Sequence, residues 1–147
     1  MTNTRFTRSA RVLLVLGLVA ASIVVASPGA SAKPLRTKNF QMPSGNIGCH
    51  LGFGQLRCDI LSGLNPEPQK ECEQDWVGLT FFRSKGARAT CAGDTVFKQD
   101  SPVLKYGRHW KTKRIDCVSR QTGLKCRNAS GYSFKLARDS WSRSYSP

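Results

Sequence analysis

Acidic side chains are scarce in this chain: nine Asp and Glu stand against 23 Lys and Arg, with only two His. Glu71, Glu73 and Asp75 alternate and can share one strand face, but a calcium site needs more oxygens in a shaped loop. There is no Cys-x-x-Cys spacing, so a thiolate metal site is not expected. The Gly-x-Ser-x-Gly elbow of serine hydrolases is missing, as is a Gly-rich phosphate loop opening a helix. Sustained helical periodicity is missing too. No stretch after residue 32 is apolar enough to cross a bilayer. No metal, cofactor or catalytic residue is assigned, and a non-enzymatic protein is expected.

What is present starts with an export pattern. Arg5, Arg8 and Arg11 precede an apolar run from Val12 to Ala26, and Ala30-Ser31-Ala32 supplies a small-residue cleavage site. The run is short for a membrane span, so residues 1–32 are expected to be a cleaved signal peptide. All six cysteines lie downstream, and the first is Cys49, too far from the apolar run for a lipidated N-terminal cysteine. An even set of cysteines in an exported chain reads as disulfides. Secretion is expected, either as free release or with retention at the cell envelope by charge. Three of the 23 basic residues fall in the signal, leaving 20 against nine acidic ones, a net +11. Such a field attracts nucleic acid, acidic polysaccharide, anionic lipid or acidic protein.

Removal of the signal leaves 115 of 147 residues, the size of one domain. A chain of that size buries roughly two-thirds of its unfolded surface, and short-loop disulfides add about 2–4 kcal/mol each. Residues 47–60 read as a hairpin. If Cys49 pairs with Cys58, then Ile47 faces Ile60 and Leu51 faces Leu56, which puts all six on one face. His50 and Arg57 go to the other face with Gly48 and Asp59, and Gly52-Phe53-Gly54-Gln55 makes the turn. The device recurs at an offset of 68: Ile115, Cys117, Leu124 and Cys126 repeat Ile47, Cys49, Leu56 and Cys58. Pairing Cys117 with Cys126 sets Asp116 opposite Arg127, although Asn128 stands where Ile60 stood. The repeat fits either a duplication or one good hairpin used twice. Cys72 and Cys91 are left to each other.

Lys33 to Asn39 is expected as a basic, flexible leader, and residues 40–147 as one disulfide-stabilised β domain. Strands are expected over Trp76–Phe82, Ala87–Cys91, Val103–Tyr106 and Tyr132–Leu136, and a turn of helix in Arg138–Tyr145 with Trp141 folded back. The fold class is mainly β: a small antiparallel sheet, sandwich or barrel stapled by three disulfides, expected as a monomer.

Several phrases, in order, resemble a family of small exported actinobacterial proteins of unknown function, the DUF6636-type domain. They include Phe40-Gln41-Met42-Pro43-Ser44-Gly45-Asn46-Ile47-Gly48-Cys49, Arg57-Cys58-Asp59-Ile60, Cys91-Ala92-Gly93-Asp94-Thr95-Val96 and Gly123-Leu124-Lys125-Cys126-Arg127-Asn128. The resemblance spans about residue 40 to the end and implies fold and export, with no activity. It leads one to expect Asp-Trp-Gly after the third cysteine; here Val77 separates Trp76 from Gly78.

The richest candidate site is the basic stretch from Lys105 to Arg114, with Tyr106, His109 and Trp110 interleaved. Cations can pair phosphates while aromatic faces stack on bases or sugars. A continuous strand from residue 109 to Ile115 would point Lys111 and Lys113 at the core, so a protruding loop is expected. The expected anion-binding residues are Lys105, Arg108, Trp110, Lys111, Lys113 and Arg114. Their partner would be an anionic polymer, or a membrane or cell-wall surface. The runner-up is a protein-binding or protease-inhibitor-like module acting through a disulfide-pinned hairpin loop, with Arg120 suited to an acidic pocket. A weaker alternative is a small basic ribonuclease-like hydrolase using His50 and His109.

Overall fold

The computed structural model describes residues 32–147, so the expected signal peptide lies outside the described residues but for Ala32. The described part contains ten strands and no helix. Five make one antiparallel sheet in chain order: β1 (Asn39–Gln41), β2 (Ile47–Gly52), β3 (Gln55–Ile60), β4 (Asp75–Phe82) and β5 (Ala87–Ala92). The other five make a second: β6 (His109–Lys111), β7 (Ile115–Arg120), β8 (Gly123–Asn128), β9 (Tyr132–Ala137) and β10 (Ser140–Tyr145). Each sheet is the same meander, a three-residue edge strand, a stapled hairpin and two further strands. The repeat seen in the hairpins therefore extends to all five strands.

Alternation explains the hairpins. Ile47 pairs with Ile60, Cys49 with Cys58 and Leu51 with Leu56; in the second sheet Cys117 pairs with Cys126 and Asp116 with Arg127. All three expected disulfides are present, Cys49–Cys58, Cys72–Cys91 and Cys117–Cys126. The inner faces of both sheets join in one core. Phe81 meets Phe134 edge-on at 5.1 Å, and Phe40 meets Trp110 at 5.0 Å. Phe40 lies opposite Cys49, and Trp110 opposite Cys117, so the second contact joins equivalent positions of the two halves. Among the described residues, 32–147, one buried cluster and all three disulfides form a core.

The short edge strands β1 and β6 are covered reciprocally. Leu35 lies parallel to Trp110: its N–H donates to His109 O at 2.8 Å, and Lys111 N–H donates to Leu35 O at 3.0 Å. Val103, 68 positions on, lies parallel to Gln41; Gln41 N–H donates to Pro102 O at 3.0 Å and Leu104 N–H to Gln41 O at 2.8 Å. Each half's leading segment thus caps the other half's first strand, which removes two open edges. The leader is therefore not free. Val103–Tyr106 contributes only this bridge and not a strand.

Two other expectations change, and the Val77 departure finds its reason. Ser140–Tyr145 is a strand and not a helical turn; Trp141 pairs with Leu136 and packs on the core. Val77, the interposed residue, is the extra residue of a β-bulge, since Trp76 pairs with Cys91 and Gly78 with Thr90. A β-carbon at Gly78 would collide with the carbonyl oxygen of Cys58, so the bulged strand needs glycine there. The basic stretch is not one loop. A hairpin at Thr112–Arg114 separates β6 from β7, with Thr112 Oγ1 accepting from Arg114 N–H at 3.1 Å and Ile115 N–H at 2.9 Å. That turn resets the alternation, so Lys111 and Ile115 need not share a face.

Asn128 explains why the repeat departs at that position. It is buried, and its amide donates to Phe82 O and Lys85 O, both at 2.9 Å, while its Oδ1 accepts from Ser130 N–H and Tyr132 N–H, both at 3.0 Å. All four hydrogen-bonding positions of the amide are filled, and they tie one sheet to the other. An isoleucine there satisfies none of them.

Candidate functional site

On β6 to β9, residues that do not enter the core face outward. Cross-strand register sets them in rows: Lys111, Asp116, Arg127 and Ser133 in one, and His109, Val118, Lys125 and Lys135 in the next. Arg120 continues the β7 column. A groove of about 500 Å³ runs over this face, lined by Lys111, Lys113, Arg114, Arg120, Lys125 and Arg127. Asp116 is its one carboxylate, held by His109 Nδ1 at 2.7 Å and Lys111 Nζ at 2.8 Å.

Lys125 and Lys135 are direct cross-strand partners, and among the described residues neither appears in an ion pair. Like charges facing each other across strands destabilise a sheet. The neighbouring cations deepen that cost. The arrangement is one that an incoming anion relieves.

The structure divides the six residues expected from sequence. Lys111, Lys113 and Arg114 line the groove. Lys105 and Arg108 line a separate depression beside Leu35, where Arg108 Nη2 donates to Lys33 O at 2.9 Å. Trp110 is a correction. It is 0% exposed, and its Nε1–H donates to Thr37 O at 2.8 Å, so it is core and stacks on no ligand. Arg120, Lys125, Arg127 and Lys135 were not among the expected set. Their signal was present in the alternation of β7, β8 and β9, but sheet order is what assembles them. The two histidines stand on different sheets: His50 on β2 bonds Asn39 Oδ1, and His109 on β6 bonds Asp116. The fold does not bring them together as a cleavage pair.

The equivalent face of the first sheet is partly covered, around Asp59. Asp59 sits where Arg127 sits in the repeat, and is 2% exposed. It accepts from Arg57 Nε at 2.8 Å, Arg57 Nη2 at 3.0 Å, Thr95 Oγ1 at 3.1 Å and Val96 N–H at 2.8 Å. Arg57 also donates to Asp94 Oδ1 at 2.9 Å. Burial alone would lower the Arg57 pKa, but the hydrogen bonds and charges of Asp59 and Asp94 outweigh it and raise the pKa. Phe97 lies on Gly48, where a β-carbon would stand 2.5 Å from the ring. The segment after β5 therefore covers the β2–β3 part of this face and pairs Arg57 with two carboxylates, while Arg88 on β5 stays exposed.

The family of unknown function DUF6636 matches residues 19–143, and the chain belongs to it. No curated protein and no solved structure matches the chain. Among the described residues no helix is long and apolar enough to cross a membrane.

Proposed function

We propose that this is a secreted, non-enzymatic cationic module that binds an anionic polymer at or outside the cell envelope through the outer face of β6–β9. The observation that carries the reading is the facing Lys125–Lys135 pair, set among Arg120, Arg127 and Lys111 with Asp116 as the groove's only acid. The groove's one histidine, His109, is tied to its one carboxylate, Asp116, and no second histidine or acid joins them there, which supports binding over turnover. Three disulfides fit an oxidising compartment outside the cytoplasm. The test is binding of residues 32–147 to DNA, RNA and purified cell-wall polymer across a salt series. The Lys125→Gln/Lys135→Gln variant should lose affinity and salt slope, because each displaced phosphate contact releases counterions. A Lys105→Gln/Arg108→Gln variant should lose far less. Equal loss in both variants would reduce the groove to ordinary surface charge.

A second reading is a protein-binding or inhibitory module acting through a disulfide-pinned hairpin loop. It is favoured by the β2–β3 tip, where Phe53 stands free of the rest of the molecule. Saturable binding to a protein partner with little salt dependence would mark it.

A further inference from the structure

Phe53 is 106% exposed, the highest value among the large apolar side chains that stand in solvent. It occupies the β2–β3 turn at φ 47°, followed by Gly54 at φ 78°. That left-handed pair makes the tight hairpin turn in which Asn, Asp and Gly are favoured and a bulky side chain is strained. The staple at Cys49–Cys58 holds the tip rigid. The phenyl ring thus costs turn stability and gains no burial.

The tip has a basic surround. The guanidinium of Arg83 lies against Gly54, 3.6 Å from where a β-carbon would stand. Lys85 shares the β4–β5 turn with Arg83, and Asn128 ties that turn to the end of β8. There Ala129 N–H donates to the carbonyl of Arg114, whose turn also holds Lys113. No Asp or Glu lies in any of these turns. Five of the nine acids stand at the other end of the strands, Glu67, Glu71, Glu73 and Asp75 around the β3–β4 connection and Asp139 in the β9–β10 turn, where Lys70, Arg120 and Arg138 offset only part of their charge.

We infer that this end docks on an anionic lipid bilayer, with Phe53 entering the interface and Arg83, Lys85, Lys113 and Arg114 engaging the head groups. Charge segregation along the strands orients the molecule with Phe53 leading. A protein interface needs a packed apolar centre and about 800 Å² per partner. A lone ring among long flexible cations suits a lipid surface better, since the aliphatic stems can lie down while the charges stay among head groups. This goes beyond the polymer reading, because Phe53, Arg83 and Lys85 do not line the groove and only Lys113 and Arg114 are shared with it.

The test is sedimentation of residues 32–147 with phosphatidylcholine vesicles, with and without phosphatidylglycerol. Wild type should bind only the anionic vesicles. Phe53→Asn should bind them about tenfold more weakly, the loss of one buried aromatic ring. It should melt no lower than wild type, because Asn is at ease in the left-handed region. Phe53→Trp should restore binding, with emission shifted to the blue and quenched by brominated lipid. Wild-type strength in Phe53→Asn, or unmoved emission in Phe53→Trp, would overturn the inference. So would vesicle binding lost in Lys125→Gln/Lys135→Gln but kept in Phe53→Asn, an outcome that leaves the groove reading standing. A Phe53 requirement seen for a protein partner, with no vesicle binding, would also overturn it.

Discussion

The two sheets share a meander, a staple and a register, yet their outer faces are opposites. On the first, Asp59 pulls Arg57 and the segment from Asp94 to Phe97 onto the strands. On the second, Arg127 replaces Asp59 and Asp116 replaces Gly48, while the cation is retained as Lys125 for Arg57. One reversed charge and one added carboxylate set the two surfaces apart. With a buried carboxylate the face recruits its own connecting chain; without one it stays open and positive. The comparison teaches that this fold tolerates either state, because the core side of each strand is unaffected by what its outer side does.

The comparison breaks most sharply at Asp59. Asp59→Ala leaves Arg57 half-buried with only Asp94, and should cost about 3 kcal/mol in denaturant unfolding. The segment over Gly48 should then become the first site cut by protease. Retained protection at residues 94–97 would mean the cover is held by Phe97 and not by charge. The link between the sheets is tested next. Asn128→Ala strands two carbonyls and two N–H groups, and should cost about 2 kcal/mol by the same measurement. The smallest effect sharpens the contrast on the open face. Lys135→Glu turns a repelling pair into an attracting one and should raise stability by about 0.5 kcal/mol while weakening polymer binding. A destabilised Lys135→Glu variant would show that the pair is not under electrostatic strain.

Much of this was legible in the sequence. The hairpins were, because a disulfide between cross-strand partners fixes register, and alternation then sorts every neighbour. The strand at β6 was not, since three residues among lysines carry little pattern, and the turn at Thr112–Arg114 resets the face. Trp110 read as a stacking surface because its neighbours are basic, whereas one residue of alternation turns it inward onto Phe40. β10 was obscured for a related reason: its inward side chains are Trp141, Arg143 and Tyr145, two of them polar at the rim of the sheet. Half of the groove lies in one basic stretch. The other half is spread over two further strands, and no local motif gathers it. The partial cover of the first face depends on Asp59 meeting Val96, a tertiary contact that composition does not carry.

The most direct measurement is amide chemical-shift mapping of residues 32–147 titrated with inorganic polyphosphate at moderate salt. The account predicts shifts concentrated on Lys111, Arg120, Lys125, Arg127 and Lys135, with the face of β2 to β5 silent. Equal shifts on both sheets, or shifts led by Lys105 and Arg108, would contradict it.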